Sequence, residues 1–349
     1  MNISSMAAIA GIWLCLLSEA QGAEAASTGG KGKAARAALK RQQLLDTFDA
    51  VERGDADKLI RLLKSGVSPN LGDDYNDGPL LRVAVSEDRV VVAGILLAAG
   101  AASNRRNIDG ETPLEVALSL DRADIVRLML FHGVKINAWG REGGTPLLEA
   151  ILGNSVRCVG VLLNAGARPN MLSRFGDAPL SVAAGGPLPA AADSGLEVMR
   201  QLIAHGADVN YTNPEGWTAL LAAAEAPAVH GRASPIERVK LLVDRGAKVN
   251  AQDKRGETPL IKVCRRLDPT LVAYLLRQGA NVDLQAKDGK TALMVAIHVS
   301  SDPGVVKALL AAHPNMSIQS HSGDTAMSLA KEARRQDIVD LLTAAAQQP

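Results

Sequence analysis

Rings are what this sequence has least of. It holds three Phe, three Trp and three Tyr, 3% of 349 residues. Aromatic side chains normally supply much of the buried area in a core, so Leu, Val, Ile and Ala must do that work here. An excess of charge of either sign is also missing. Lys and Arg number 38 against 37 Asp and Glu, for a formal net charge of +1. Removing a leader that carries Glu19 and Glu24 would take the balance only to 38 minus 35, or +3. No electrostatic footprint for nucleic acid phosphates results. The constellations of catalysis are absent too: there is no H-E-x-x-H, no paired C-x-x-C and no G-x-S-x-G. The glycine-rich G-G-K-G-K from Gly29 is followed by Gly32 or Ala34, where a phosphate loop needs Ser or Thr. Asp73, Asp74, Asn76 and Asp77 before Gly78 miss calcium-loop spacing in either register and read as a hairpin tip. The composition therefore predicts no enzyme, no catalytic residue, no cofactor or metal, and no small-molecule substrate.

What the chain does have is a phrase that recurs. R-G-E-T-P-L-I-K-V runs from Arg255 to Val263, and shorter versions stand as N-D-G-P-L from Asn76, G-E-T-P-L from Gly110, G-G-T-P-L from Gly143 and G-D-A-P-L from Gly176. The series continues as G-W-T-A-L from Gly216, G-K-T-A-L from Gly289 and G-D-T-A-M from Gly323. Glycine suits a turn, Thr can cap a helix with its hydroxyl, and Pro fits the first helical position. Taking the proline position as marker, the series is Pro79, Pro113, Pro146, Pro179, Ala219, Pro259, Ala292 and Ala326, with steps of 34, 33, 33, 40, 40, 33 and 34. A second phrase precedes each marker at fixed offset: L-L-K-S-G-V-S-P-N ends at Asn70, L-L-A-A-G-A-A-S-N at Asn104, L-I-A-H-G-A-D-V-N at Asn210 and L-L-R-Q-G-A-N-V-D at Asp283. It describes an apolar helix closed by a glycine.

With that period and that phrase the sequence resembles the ankyrin repeat family, whose T-P-L-H-x-A signature recurs about every 33 residues. The resemblance covers roughly residues 44–349. It implies an all-α fold, an ankyrin-repeat solenoid of helix-turn-helix plus β-hairpin or turn units, with about nine repeats including caps. The units lie near 44–75, 76–108, 109–142, 143–175, 176–215, 216–255, 256–288, 289–322 and 323–349. The histidine of the signature is replaced by Glu115, Leu148 and Ile261, so these helix starts are expected to lose a buried polar contact. Cys158 and Cys264 fall in the fourth and seventh units. Packed helices stand about 8–10 Å apart, which puts the two thiols beyond disulfide reach and predicts free, buried cysteines. His132 and His205 precede the helix-closing glycine at equivalent positions two repeats apart, too far apart to share a metal. They read as last-turn residues interacting with the helix dipole.

The N-terminus differs in character. Met6 to Leu17 is an uncharged apolar run, short for a membrane span and suited to the core of a signal peptide, with small-x-small cleavage sites after Ala20 and Ala25. The n-region lacks Lys and Arg, so an uncleaved anchor or a fortuitous apolar start stays open. Residues 1–25 are assigned as signal peptide and 26–43 as a basic Gly/Ala-rich linker that turns helical towards the first repeat. The expected localisation is periplasmic or secreted, with no stable membrane span after signal cleavage.

A binding surface is what such an array offers, and proteins are what such surfaces usually bind. The expected function is a non-enzymatic protein-binding scaffold, held in the periplasm of a bacterium, that protects against, inhibits or stabilises a partner protein. An effector engaging host proteins, or a structural module of an envelope complex, is the alternative. The scarce aromatics suggest where: Trp139, Phe175, Tyr211 and Trp217 fall in consecutive hairpin segments of an array packed by aliphatics. Either they are partner anchors, with Arg141, Glu142, Arg174 and Glu215 as a charged rim, or they fill gaps between hairpin tips. Both 40-residue steps place extra residues between paired helices, from Gly185 and from Ala226. Ser194 with Glu197, and Ser234 with Glu237, form capping boxes from which the second helices should resume.

Overall fold

The computed structural model describes residues 30–73, 78–107, 109–140, 143–186, 194–226, 235–299 and 303–347. The signal segment, Arg141, Glu142, Tyr75, Ser234 and most of both insertions lie outside the described residues. The chain divides into two compact units after Ala167. The first holds α1 (Gly30–Arg53), α2 (Ala56–Lys64), α3 (Leu80–Ser86), α4 (Val90–Ala98), α5 (Pro113–Ser119), α6 (Ala123–Phe131), α7 (Pro146–Leu152) and α8 (Val156–Asn164). The second holds α9 (Pro179–Gly185), α10 (Ser194–Ala204), α11 (Ala219–Glu225), α12 (Pro235–Asp244), α13 (Pro259–Cys264), α14 (Pro269–Arg277), α15 (Ala292–Val299), α16 (Gly304–Leu310), α17 (Ala326–Glu332) and α18 (Gln336–Ala346). One two-residue antiparallel pair, Gly72–Asp73 with Gly78–Pro79, is the only strand pairing among the described residues.

The T-P-L phrase sets each first helix. Thr112, Thr145, Thr218, Thr258 and Thr325 stand at the N-cap in extended backbone, and each hydroxyl accepts from the N–H three residues on. Such a cap contributes on the order of 1 kcal/mol. The leucine after the proline is then buried, as at Leu114, Leu147, Leu180 and Leu260. First helices are buried nearly all round: Ala219 to Ala224 of α11 are all buried. Second helices bury one stripe and leave the other side wet, as in α14, where Leu271, Val272 and Leu275 are buried. Glu115 corrects one expectation. It loses no polar contact, because its carboxylate accepts from Thr112 N–H at 2.6 Å and completes a capping box with the Thr112 hydroxyl. Leu148 and Ile261 are buried and, being aliphatic, make no such contact. Helices α10 and α12 resume at Ser194 and Pro235, as the sequence predicts.

Turns between paired helices place one residue in the left-handed region: Asp88, Asp121, Asn154, Leu267 and Arg334. Asp and Asn tolerate this conformation, whereas Leu267 at φ 61° is a steric outlier. Leu267→Asn should therefore stabilise the protein by about 1 kcal/mol. Thermal unfolding checks it, and an unchanged or lower midpoint would show that Leu267 packing outweighs its strain.

Repeats within a unit are joined main chain to side chain. Asn170 donates its amide to Gly206 C=O at 2.8 Å and accepts Asp208 N–H at 2.8 Å. Asn210 does the same with Gly246 and Lys248, Asn250 with Gly279 and Asn281, and Asn70 with Gly100 and Ala102. This is why the second phrase of the repeat ends in Asn. Asp283 keeps only the accepting half, from Asn315 N–H at 2.9 Å.

Hairpin tips use one recurring bond between residues four apart: Asn213 N–H to Trp217 C=O, Asp253 to Glu257, Ala286 to Lys290 and Ser320 to Asp324 in the second unit, and Asn107 to Glu111 and Gly140 to Gly144 in the first. Neighbouring tips bond as well, Lys254 N–H donating to Glu215 C=O at 2.9 Å and Lys287 N–H to Arg255 C=O at 2.8 Å. Gly216 shows why the phrase begins with glycine. Its φ is +81°, and a Cβ there would lie 2.8 Å from Asp253 Cα and from Lys254 N.

Candidate partner-binding surface

In the first unit the hairpin stems and first helices enclose a cleft of 510 Å³. Leu114, Leu118, Val134 and Pro146 supply its apolar lining, and Trp139, 61% exposed, stands at its edge. Two carboxylates converge there. A Cβ on Gly140, next to Trp139, would lie 3.2 Å from Glu115 Oε1 and 3.9 Å from Glu149 Oε1. A Cβ on Gly144 would meet the end of the flexible Glu149 side chain, which would have to move aside. Arg106 pairs with Glu115 at 3.3 Å and also donates to Gly110 C=O. Lys135 is exposed on the rim.

The second unit holds a different arrangement of the same chemistry, with its cation built in. Lys262 is only 4% exposed, and its ammonium lies 3.0 Å from Asp253, 3.1 Å from Glu257 and 2.9 Å from Glu225. It also sits 4.2 Å from the centroid of the Trp217 ring. Burial pushes the Lys262 ammonium down, but hydrogen bonds to Glu225, Asp253 and Glu257 outweigh it and hold it above its ordinary value. Asp253 serves twice, since its other oxygen accepts Arg255 and Glu257 N–H at 2.9 Å each and closes the hairpin tip. Arg265 completes the cluster by pairing with Glu257.

The residues singled out from the sequence thus sit in different surroundings. Trp139 in the first unit and Phe175 in the second are open to solvent, Phe175 at 75%. Tyr211 is half-buried and donates its hydroxyl to Gly176 C=O at 3.3 Å, tying one hairpin to its neighbour. Trp217 is half-buried against Lys262. Arg174 is exposed, and Glu215 is exposed but engaged by Lys254 at 3.1 Å. Lys262 was not singled out from the sequence. Its signal was there: at the fourth position after the phrase's threonine or its alanine equivalent, Val116, Val182, Ala222, Val295 and Leu329 are apolar, while Glu149 and Lys262 are charged.

Cys158 and Cys264 are both free and buried, and burial raises both thiols well above the usual range. His132 caps the C-terminus of α6, but burial pushes its imidazole below the ordinary value and its ring meets Phe131 edge-on at 5.4 Å. His132 thus keeps the helix-end position that the sequence gives it. No group of metal-ligating side chains occurs among the described residues, and no helix among them is long and apolar enough to cross a membrane.

Capped helix pairs joined by bonded tips, with a cleft between stems and first helices, define a repeat scaffold that presents a binding face. The model of the ankyrin repeat family matches in three copies, over residues 47–139, 188–265 and 228–319, more than half of the chain. The chain belongs to the ankyrin repeat family, whose members bind protein partners. Its fold is the all-helical ankyrin-repeat solenoid. Solved structures agree: the human ASB11 ankyrin repeat domain superposes with a TM-score of 0.55 at 25% identity, over 66% of this chain and 96% of that one. The ankyrin repeat domain of Bcl-3, a member of the IkappaB protein family, gives 0.55 at 28% identity over 67% and 99%. Among curated proteins the potassium channel GORK of Arabidopsis thaliana is 42% identical over 65 residues, 19% of this chain and 8% of the channel. This chain therefore spans a small fraction of that relative's length.

Proposed function

We propose that this chain is a non-enzymatic scaffold that binds a partner protein in the cleft beside Trp139, and that it is exported to the periplasm to protect against, inhibit or stabilise that partner. The cleft carries the reading: a large ring left in water beside an apolar lining costs solvation that a partner would recover. The apolar run from Met6 to Leu17 supports export.

Trp139→Ala should weaken partner binding at least about tenfold, near 1.4 kcal/mol, and leave circular dichroism and the unfolding midpoint unchanged. Trp217→Ala should instead lower the midpoint, because that ring covers Lys262. Pull-down from periplasmic extract with wild-type and Trp139→Ala protein, followed by calorimetry on the captured partner, measures the first effect. Equal affinity of the two proteins would remove the cleft from the binding surface. An unprocessed chain in the culture medium or host fraction would replace the periplasmic role with that of an effector.

A further inference from the structure

We infer that the basic arm opening α1, residues 30–42, holds the protein against a membrane surface of anionic phospholipid. This stands apart from the cleft reading above and adds a contact of a different kind. Charge, the course of the helix and the exposed leucines of the arm carry it.

Lys31, Lys33, Arg36, Lys40 and Arg41 are the only charged residues between Glu24 and Asp46, in a chain whose 38 cations and 37 anions otherwise balance. The first acids that follow are already engaged: Asp46 and Asp49 lie 3.3 and 3.0 Å from Lys58, and Asp49 also pairs with Arg53. They do not neutralise the arm. Its order of charge also runs against the helix. The first turn of α1 holds Lys31 and Lys33 and no acid, whereas α2, α6 and α18 open with Asp57, Asp124 and Asp337. The helix dipole favours acids at this end and opposes lysines. An anionic surface offsets that cost, because it meets the lysines and the positive end of the dipole together.

The course of the helix leaves these residues free to act. α1 is continuous from Gly30 to Arg53, and its C-terminal half buries Thr47, Ala50 and Val51 where it packs on α2 and α3. Leu39, Lys40, Arg41 and Gln42 are exposed one after another. Four consecutive residues take in every side of a helix that turns once in 3.6, so no other described element covers the arm there. A helix as short as the arm is marginal in water by itself, and the packed half supplies its nucleus. Lipid is favoured over nucleic acid by Leu39 and Leu45, which are 59% and 57% exposed. Such leucines gain from the acyl boundary beneath the headgroups and gain nothing from a phosphodiester backbone. The arm also has no aromatic ring on which a base could stack.

The test takes the full chain and the chain that cleavage after Ala25 leaves, so that the apolar run from Met6 to Leu17 cannot alone supply the binding. Each is sedimented in low salt with vesicles of phosphatidylcholine, or of phosphatidylcholine mixed with phosphatidylglycerol. Both chains should bind the mixed vesicles, and the shorter chain should leave the neutral ones unbound. Lys40→Gln with Arg41→Gln should weaken binding of the shorter chain at least about tenfold, since each cation near such a surface contributes about fivefold. Added salt should release it. Leu39→Ala with Leu45→Ala should weaken vesicle binding severalfold, and circular dichroism should stay unchanged in both variants. Equal binding of the shorter chain to neutral vesicles, binding by the full chain alone, binding by neither, or indifference to the paired Gln changes would overturn the inference. Tighter binding to a random-sequence DNA duplex than to the mixed vesicles at the same salt, untouched by the leucine changes, would overturn it in favour of nucleic acid. The effect of Trp139→Ala on capture of the protein partner is read separately, so this inference and the cleft reading can fail independently.

Discussion

Lys262→Met is expected to lower the unfolding free energy by about 3–5 kcal/mol, the cost of leaving buried charges without their partner. Methionine matches the lysine stem in volume, so packing changes little. The loss arises because Asp253 and Glu257 stay buried, with Arg265 on Glu257 as the remaining cation. Adding Asp253→Asn and Glu257→Gln should restore much of it, since Asn can still accept the tip-closing N–H bonds. The pH dependence follows from the raised lysine. Its contribution is complete below the unfolded value of about 10.4 and is lost as pH rises through the higher folded value. Wild type and Lys262→Met should therefore keep a constant gap from neutrality to about pH 10 and converge only beyond it. Urea unfolding across that range measures both, and a gap under about 1 kcal/mol at pH 7 would mean that the cluster behaves like a solvated surface pair.

The second large effect concerns Gly216. An alanine there adopts a left-handed backbone at about 1–2 kcal/mol and drives its Cβ into the main chain at Asp253 and Lys254, which overpacking costs put at about 1–3 kcal/mol more. Gly206 provides the control, with φ +87° and nothing within 4 Å of the position its Cβ would take. Gly206→Ala should cost only the backbone part, about 1–2 kcal/mol. Denaturant midpoints of the two variants decide the matter. Equal losses would show that the tips move apart freely, and that Lys254 N–H to Glu215 C=O contributes nothing.

Much of the fold was legible because the phrase encodes local chemistry. Threonine caps, proline at the first helical position and tip glycines act within a few residues of themselves, so spacing alone placed the helix pairs. The site was less legible. Aromatic scarcity drew attention to Trp139 and Trp217, but exposure depends on what another repeat brings alongside. Trp217 meets Lys262, 45 positions later, and only the fold puts them together. Glu115 illustrates the same limit in reverse. Beside the family signature it looks like a loss, yet a carboxylate at the third helical position can reach back to the N-cap N–H, a possibility present in the T-x-x-E spacing all along.

The asparagine clasp also bears on how such a chain can change in length. Each clasp is written in one repeat's side chain and read by the next repeat's main chain, a glycine C=O and an N–H that any residue but proline supplies. The joint is therefore indifferent to the side chains of its downstream neighbour. A repeat duplicated or lost whole leaves the same grammar at the new junction, so repeat number can drift while helix-facing residues diverge independently.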